Sequence, residues 1–294
     1  MFGDRVFFVH RGHRHWIRDG RWFSQNGASW PDSVLDVEPG LLLSFAPGGP
    51  APLTWSDAEY ESPPAELDSM SMREIAGSRC SGAGLEVGAG TSPFPLPLAC
   101  KVLYGDRLPT GDLELELYPG QLREDLVEPD IEMDLDGLAN VPDQSLDFIV
   151  ACHVIEHTRN PIGALIQAWR RLKPGGRLVL VVPDMERTFD RGRAVTSLEH
   201  LIQDHLAPFR ERDRGHYEEF YRVAFPMPPE RYEATVRERF DSAYAIHYHA
   251  WTYASFRAMV DWVVENGAVF SSVWSHPARA DRERDIEFYF SLIK

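Results

Sequence analysis

One stretch constrains this chain more than any other: Gly84-Leu85-Glu86-Val87-Gly88-Ala89-Gly90-Thr91-Ser92-Pro93. Gly84 to Val87 is a short, largely apolar run and reads as a buried strand. It breaks directly into two glycines separated by one residue. Gly88 and Gly90 carry no Cβ, so the backbone can turn sharply there and approach a bound molecule closely. A strand ending in such a turn opens an α/β sheet whose ligands sit beyond the carboxyl ends of the strands.

A dinucleotide fold would want a third glycine at position 93, so that its phosphate-binding helix could pack closely. Position 93 is proline, and Pro95 and Pro97 follow. A regular helix does not start easily on that sequence. The strand followed by E-x-G-x-G instead resembles the first motif of class I S-adenosylmethionine (SAM)-dependent methyltransferases.

The resemblance continues in order along the chain. Cys100 to Asp106 reads as the second strand, and Asp106 lies 20 residues after Glu86. An acid at that strand end accepts the ribose hydroxyls of a nucleoside, a spacing that suits NAD and SAM equally. Pro129 to Asp134 reads as the third strand and its exit. Asp143-Gln144-Ser145-Leu146-Asp147-Phe148-Ile149-Val150 is a turn running into a central strand, and it leads to Ala151-Cys152-His153-Val154-Ile155-Glu156-His157. Pro161 to Leu172 has apolar residues at helical spacing, Lys173-Pro174-Gly175-Gly176 ends it, and Arg177 to Pro183 follows as a buried parallel strand. L-K-P-G-G before a strand is a signature of the same family, so the resemblance covers residues 83–183.

The family resemblance implies a Rossmann-like, seven-stranded, mostly parallel α/β sheet closed by a C-terminal antiparallel hairpin, which Val269–Trp274 and Ile286–Ile293 would supply. It implies SAM as cofactor, held by Glu86, Gly88, Ala89, Gly90, Asp106, Arg107, Met133, Asp134, Cys152 and His153. In that reading Asp106 takes the ribose, Asp134 or Asp136 accepts from the adenine amino group, and a neighbouring backbone N–H reads a ring nitrogen. The activity implied is methyl transfer to O or N of a small molecule of sugar or natural-product type. Two rivals stand beside it: a non-methylating or metal-assisted use of SAM, and a binding or assembly protein with a vestigial SAM fold. His153-Val154-Ile155-Glu156-His157 also spells the inverted zinc-peptidase motif, but that chemistry needs both histidines on one helix face. Here the motif follows a strand directly.

Before this region, Arg5–His10 and His13–Ile17 read as a hairpin around Arg11-Gly12. Asp19-Gly20 marks a second hairpin turn, with Arg21-Trp22-Phe23 as its return strand. Val34–Val37 and Leu41–Phe45 are further short strands. Four of the eight tryptophans, Trp16, Trp22, Trp30 and Trp55, fall here and supply the aromatic core that a small all-β module needs. His10, His13 and His15 lack an acid or cysteine at matching spacing, so they do not form a metal site. The segment resembles small β repeats attached to bacterial domains and suits an interaction or homo-oligomerisation role. Proline-rich punctuation places a boundary near residue 60, which divides the chain into an N-terminal module, 1–60, and a methyltransferase domain, 61–294. Leu67 to Ala76 reads as a leading helix ended by Gly77.

Composition narrows the partners. A net charge of −15 argues against a nucleic-acid binder. No apolar stretch approaches membrane-spanning length. The three cysteines share no close spacing, and the first residues lack a signal-peptide pattern, which together point to a reducing cytoplasm without a structural metal site. Residues 111–136 hold ten acids against one base, Arg123. Such a run is a solvated face, a divalent-cation site or an attractor for a sulfonium.

The last part of the chain should choose the acceptor. Residues 184–243 read as a helical, lid-like insertion, with helices at Ser197–Leu206, from Arg214 onward, and at Glu230–Phe240. In Tyr244-Ala245-Ile246-His247-Tyr248-His249-Ala250-Trp251, an extended backbone puts His247, His249 and Trp251 on one side. Thr252 caps a helix, Tyr253–Asn266. The expectation is that His153, His157, His247 and His249 converge on the acceptor side as a base with its partner or as ligands for one divalent ion, with Trp251 offering its ring to a cation.

Overall fold

The computed structural model describes residues 6–10, 13–17, 21–29, 46–47, 69–117, 125–206, 210–279 and 285–294. The chain divides into two compact units. One is Met1–Ser81 with Pro95–Cys100, and the other is Gly82–Phe94 with Lys101–Lys294. The expected boundary near residue 60 and the strands expected at 34–37 and 41–45 lie outside the described residues.

In the first unit, β1 (Val6–His10) and β2 (His13–Ile17) form the expected antiparallel hairpin, and β3 (Ala46–Pro47) adds in parallel to β2. Arg21–Gln25 is not the expected return strand but a helix, α1. Trp22 and Phe23 are both buried. Consecutive residues of a strand point to opposite faces, whereas a helical turn can bury neighbours together. Helix α2 covers Ser69–Gly77.

The second unit carries a seven-stranded sheet in the order β6-β5-β4-β7-β8-β10-β9. Its strands are β4 (Ala83–Val87), β5 (Lys101–Asp106), β6 (Ile131–Glu132), β7 (Leu146–Cys152), β8 (Leu172–Pro183), β9 (Ser272–His276) and β10 (Glu287–Ile293). Strands β6, β5, β4, β7 and β8 run parallel, β10 is antiparallel to β8, and β9 is antiparallel to β10. This is the expected Rossmann-like sheet with its C-terminal hairpin. Strand β4 sits between β5 and β7, so the chain's direction of winding reverses there and a crevice opens at the carboxyl ends of β4 and β7.

The helices are α3 (Thr110–Leu117), α4 (Pro161–Arg171), α5 (Leu198–Leu206), α6 (Arg210–Val223), α7 (Pro229–Asp241) and α8 (Tyr253–Asn266). Asn160 caps α4 by accepting the Gly163 N–H, and Thr252 caps α8 by accepting the Ser255 N–H. Strands β4, β7, β8 and β10 bury Leu85, Ile149, Leu180 and Phe290 with α4 and α8 in one core. A second apolar cluster, Tyr217, Phe220, Tyr221, Val236, Ile246 and Tyr248, lies among α6, α7 and the segment after them.

Some element boundaries differ from expectation; β9, for example, covers Ser272–His276 where Val269–Trp274 was expected. Strand β8 starts at Leu172, so Lys173-Pro174-Gly175-Gly176 lies within it and not ahead of it. Gly175 has φ +79 and donates its N–H to the Lys294 carbonyl, while Lys294 N–H donates back to Gly176. A Cβ at Gly176 would stand 2.8 Å from the Lys173 carbonyl oxygen. The glycines let β8 bulge beside β7 while the chain end pairs with it.

Candidate active site

A cavity of about 360 Å³ opens at the carboxyl ends of the parallel strands. Its floor begins with Val87, Gly88 and Gly90. Gly88 and Gly90 have φ of +72 and +54, conformations that side chains other than glycine rarely adopt. A Cβ at Gly88 would stand 2.6 Å from Val154 Cγ2, whereas around Gly90 nothing lies within 4 Å. The turn therefore packs tightly at its first glycine and leaves open space at its second.

Glu86 does not line the cavity. It is 1% exposed, and its Oε1 accepts the Phe94 N–H at 2.7 Å. That bond ties the end of β4 to the chain that leaves the glycine turn. Ala89 and Cys152 are likewise absent from the lining; Ala89 carries the turn by accepting the Ser92 N–H at 3.0 Å.

Asp106 and Arg107 form the next part of the wall. Asp106 Oδ1 accepts the Arg107 N–H at 2.8 Å, and Arg107 pairs with Glu116. Burial raises the Asp106 pKa above its ordinary value, opposed by Arg107. Met133 and Asp134 also line the cavity. The Met133 N–H already donates to the Asp106 carbonyl at 2.7 Å, so its side chain is what it offers a ligand. Asp134 Oδ1 accepts the Gly137 N–H at 2.8 Å. Asp136 is open to solvent as a residue, but its carboxyl is held at the wall beside Asp134, and desolvation and that neighbour push it up to about 6. Both acids named as alternatives for the adenine end are thus present in the wall.

Histidines form the other end. His153 and His157 line the cavity; His247 and His249 do not. His153 stands at the end of β7 with φ +55, a strained value for a residue with a side chain. Its Nε2 is 2.7 Å from Glu287 Oε2, and Glu287 Oε1 accepts the Tyr289 hydroxyl at 2.5 Å. Ile155 to His157 form a 3-10 turn, so the two histidines do not share a helix face as zinc-peptidase chemistry needs. His157 Nδ1 lies 2.9 Å from the Ile246 carbonyl, to which it donates, leaving Nε2 as the acceptor nitrogen. Burial lowers the His157 pKa, partly offset by the Glu156 carboxylate. Glu156 is 1% exposed, and neither carboxylate oxygen has a hydrogen-bond partner among the described residues.

The expected convergence of four histidines does not occur. His247 packs edge-on against His157, with centroids 4.7 Å apart, and its Nδ1 is 2.6 Å from Asp190 Oδ2. Asp190 is held in turn by Arg193 at 2.8 Å, and despite burial these two partners hold its carboxyl below the usual range. His249 turns elsewhere. It is fully buried, stacked on Trp251 at 5.3 Å, and faces His200 and His216. Trp251 is 1% exposed and does not line the cavity. The segment 244–252 is irregular and not a strand, so alternation does not govern which way its side chains point.

Several wall residues carried no recognisable signal in the sequence. Arg159 and Tyr248 line the mouth, with Arg159 Nε 3.0 Å from Asp213 and 3.2 Å from the Tyr248 hydroxyl. Glu287, the partner of His153, carried a faint signal as a charge at the head of an otherwise apolar strand.

Asp106, the left-handed glycines and the open space at Gly90 fit an adenosine-type cofactor, and the cavity has small-molecule dimensions. No described helix is long and apolar enough to cross a membrane. A structural likeness to a Thermotoga maritima SAM-dependent methyltransferase, described as a possible histamine N-methyltransferase, covers 77% of this chain and 87% of that one at 16% identity and TM-score 0.40. The YcgJ protein of Bacillus subtilis is similar over 77% of this chain and 97% of its own at 16% identity and TM-score 0.37. An uncharacterised 37.1 kDa protein of transposon Tn4556 in Streptomyces fradiae is 30% identical over 117 residues, 39% of this chain and about a third (34%) of that protein. The family described as "Methyltransferase domain" matches residues 71–223, more than half of the sequence. The chain therefore belongs to the SAM-dependent methyltransferase family.

Proposed function

We propose that this enzyme transfers a methyl group from SAM to an O or N nucleophile of a small molecule, with His157 as the general base. The observation that carries this reading is that one cavity joins the nucleoside-type wall, Gly88, Gly90, Asp106 and Asp134, to a mouth bearing His153, His157, Arg159 and Tyr248. Bound SAM supplies an electrophilic methyl on a sulfonium. Asp106 would accept the ribose hydroxyls, and Asp134 or Asp136 the adenine amino group. His157 has its Nδ1 proton committed to Ile246, so Nε2 has a lone pair to take the acceptor's proton. Burial favours the neutral ring, the form a base needs. His153, fixed by Glu287, would orient the acceptor from the other side of the mouth, and orientation alone can supply much of the acceleration.

Incubating the purified enzyme with methyl-labelled SAM and a panel of hydroxyl- and amine-bearing small molecules tests the reading. Label should appear in an acceptor, and His157→Asn should slow that transfer by about 10²–10⁴ while SAM still binds. Product mass separates methylation from other uses of SAM. Label retained wholly in SAM across the panel, or full transfer by the variant, counts against it.

A further inference from the structure

Away from the cavity, a second group of histidines gathers around one acid. His200 and Asp204 stand one turn apart on α5, His216 comes from α6, and His249 comes from the irregular segment before α8. One ring nitrogen of each histidine lies within 4.8 Å of the other two. An acid stands beside two of them: Asp204 Oδ2 is 2.9 Å from His200 Nε2 and 3.6 Å from His216 Nε2. A tetrahedral ion with bonds of 2.0–2.1 Å separates its donors by about 3.3 Å, a value the two measured distances bracket.

The orientation of the rings matters as much as the distances. His216 Nδ1 lies 2.9 Å from the Tyr248 carbonyl and donates to it, which leaves the Nε2 lone pair facing Asp204. His249 Nε2 faces the Arg159 carbonyl at 3.4 Å, which leaves Nδ1. That nitrogen is buried and has no hydrogen-bond partner among the described residues, in a residue that is 0% exposed. Stacking on Trp251 fixes the ring. Ligating histidines typically hold their second nitrogen on a backbone carbonyl in this way. Asp204 and His216 are also buried, while His200, at 41% side-chain exposure, borders a neighbouring cavity and gives an ion a way in.

We propose that His200, Asp204, His216 and His249 bind one zinc-class divalent ion. Three imidazoles and a carboxylate suit zinc by donor type, and four protein ligands make a closed, structural site. The ion would pin α5 and α6 to the segment that also carries His247 and Tyr248, so it would set the shape of the acceptor mouth without taking part in the chemistry.

The full-length protein, stripped with a chelator and dialysed, should be titrated with Co²⁺ alone as a spectroscopic probe and with Zn²⁺ by calorimetry. One ion per chain, an absorption spectrum of tetrahedral Co²⁺, and a higher melting temperature with Zn²⁺ are expected. His200→Ala, at the exposed edge of the set, should fold and bind at least about tenfold more weakly, and Asp204→Asn should lose the tetrahedral spectrum. His276→Ala, remote from the set, should bind as the parent does. Absence of stoichiometric binding, or binding and spectrum unchanged in both His200→Ala and Asp204→Asn, would overturn the assignment.

Discussion

His157 and His247 meet edge to face with ring centroids 4.7 Å apart, yet His157 lies on the cavity wall while His247 is held on Asp190 outside it. Two histidines 90 residues apart in sequence are thereby given different positions: one can meet an acceptor, and the other braces it. The consequence is measurable. His157→Asn should lower the turnover number by about 10²–10⁴ with SAM affinity retained. His247→Ala should leave a larger residual rate. Equal losses in the two variants would show that the pair acts as a unit.

Asp106→Ala should weaken SAM and its demethylated product alike. A charged acceptor of two hydroxyl hydrogen bonds contributes roughly 1.5–3 kcal/mol, about ten- to a hundred-fold in affinity. Calorimetry on the folded variant measures this, and unchanged affinity would remove Asp106 from the ribose site.

Gly84→Ala probes the packing of the central strand pair. A Cβ there would fall 2.4 Å from the Phe148 carbonyl oxygen, and Phe148 is completely buried. Strands β4 and β7 would have to part. Overpacking of this kind costs about 1–3 kcal/mol, read as a lower urea midpoint. Gly90→Ala meets nothing within 4 Å, so its cost is confined to the φ of +54, and it should destabilise less than Gly84→Ala.

Asp136 gives the SAM-free enzyme a pH dependence. Its folded pKa is raised to about 6, against roughly 3.9 for an unfolded chain. Between those values the folded protein holds more protons than the unfolded one, so stability falls as pH rises through the window. Asp136→Asn removes that slope. Urea midpoints of parent and variant should draw together as pH falls below 4 and separate, in favour of the variant, above 6. A constant difference at every pH would mean that the carboxyl is not desolvated.

Much of the sheet was legible because its signals are local. The apolar run 84–87, the left-handed glycines after it and the acid at the end of β5 each act within a few residues, and each stands where its pattern implies. Of the residues read as holding the cofactor, Gly88, Gly90, Asp106, Arg107, Met133, Asp134 and His153 line the cavity, while Glu86, Ala89 and Cys152 do not. Glu86 belongs to the glycine turn in sequence, but it is buried outside the cavity lining with its Oε1 held by the Phe94 N–H. A motif specifies which residue is present; the hydrogen bonds around it decide whether that residue faces a ligand.

The sequence by itself marked where the parallel strands and the glycine turn lie along the chain, because strand periodicity and backbone turns are set by neighbours, and its family resemblance implied the class of fold. Only the tertiary structure decided how the histidines are divided. His153 meets Glu287 across 134 residues, His157 meets the Ile246 carbonyl across 89, and His249 joins α5 and α6 and not the cavity. Those partners are fixed by where an irregular segment crosses the ends of the strands. With no repeating backbone geometry there, nothing in the spacing of His247, His249 and Trp251 dictates which way each side chain turns.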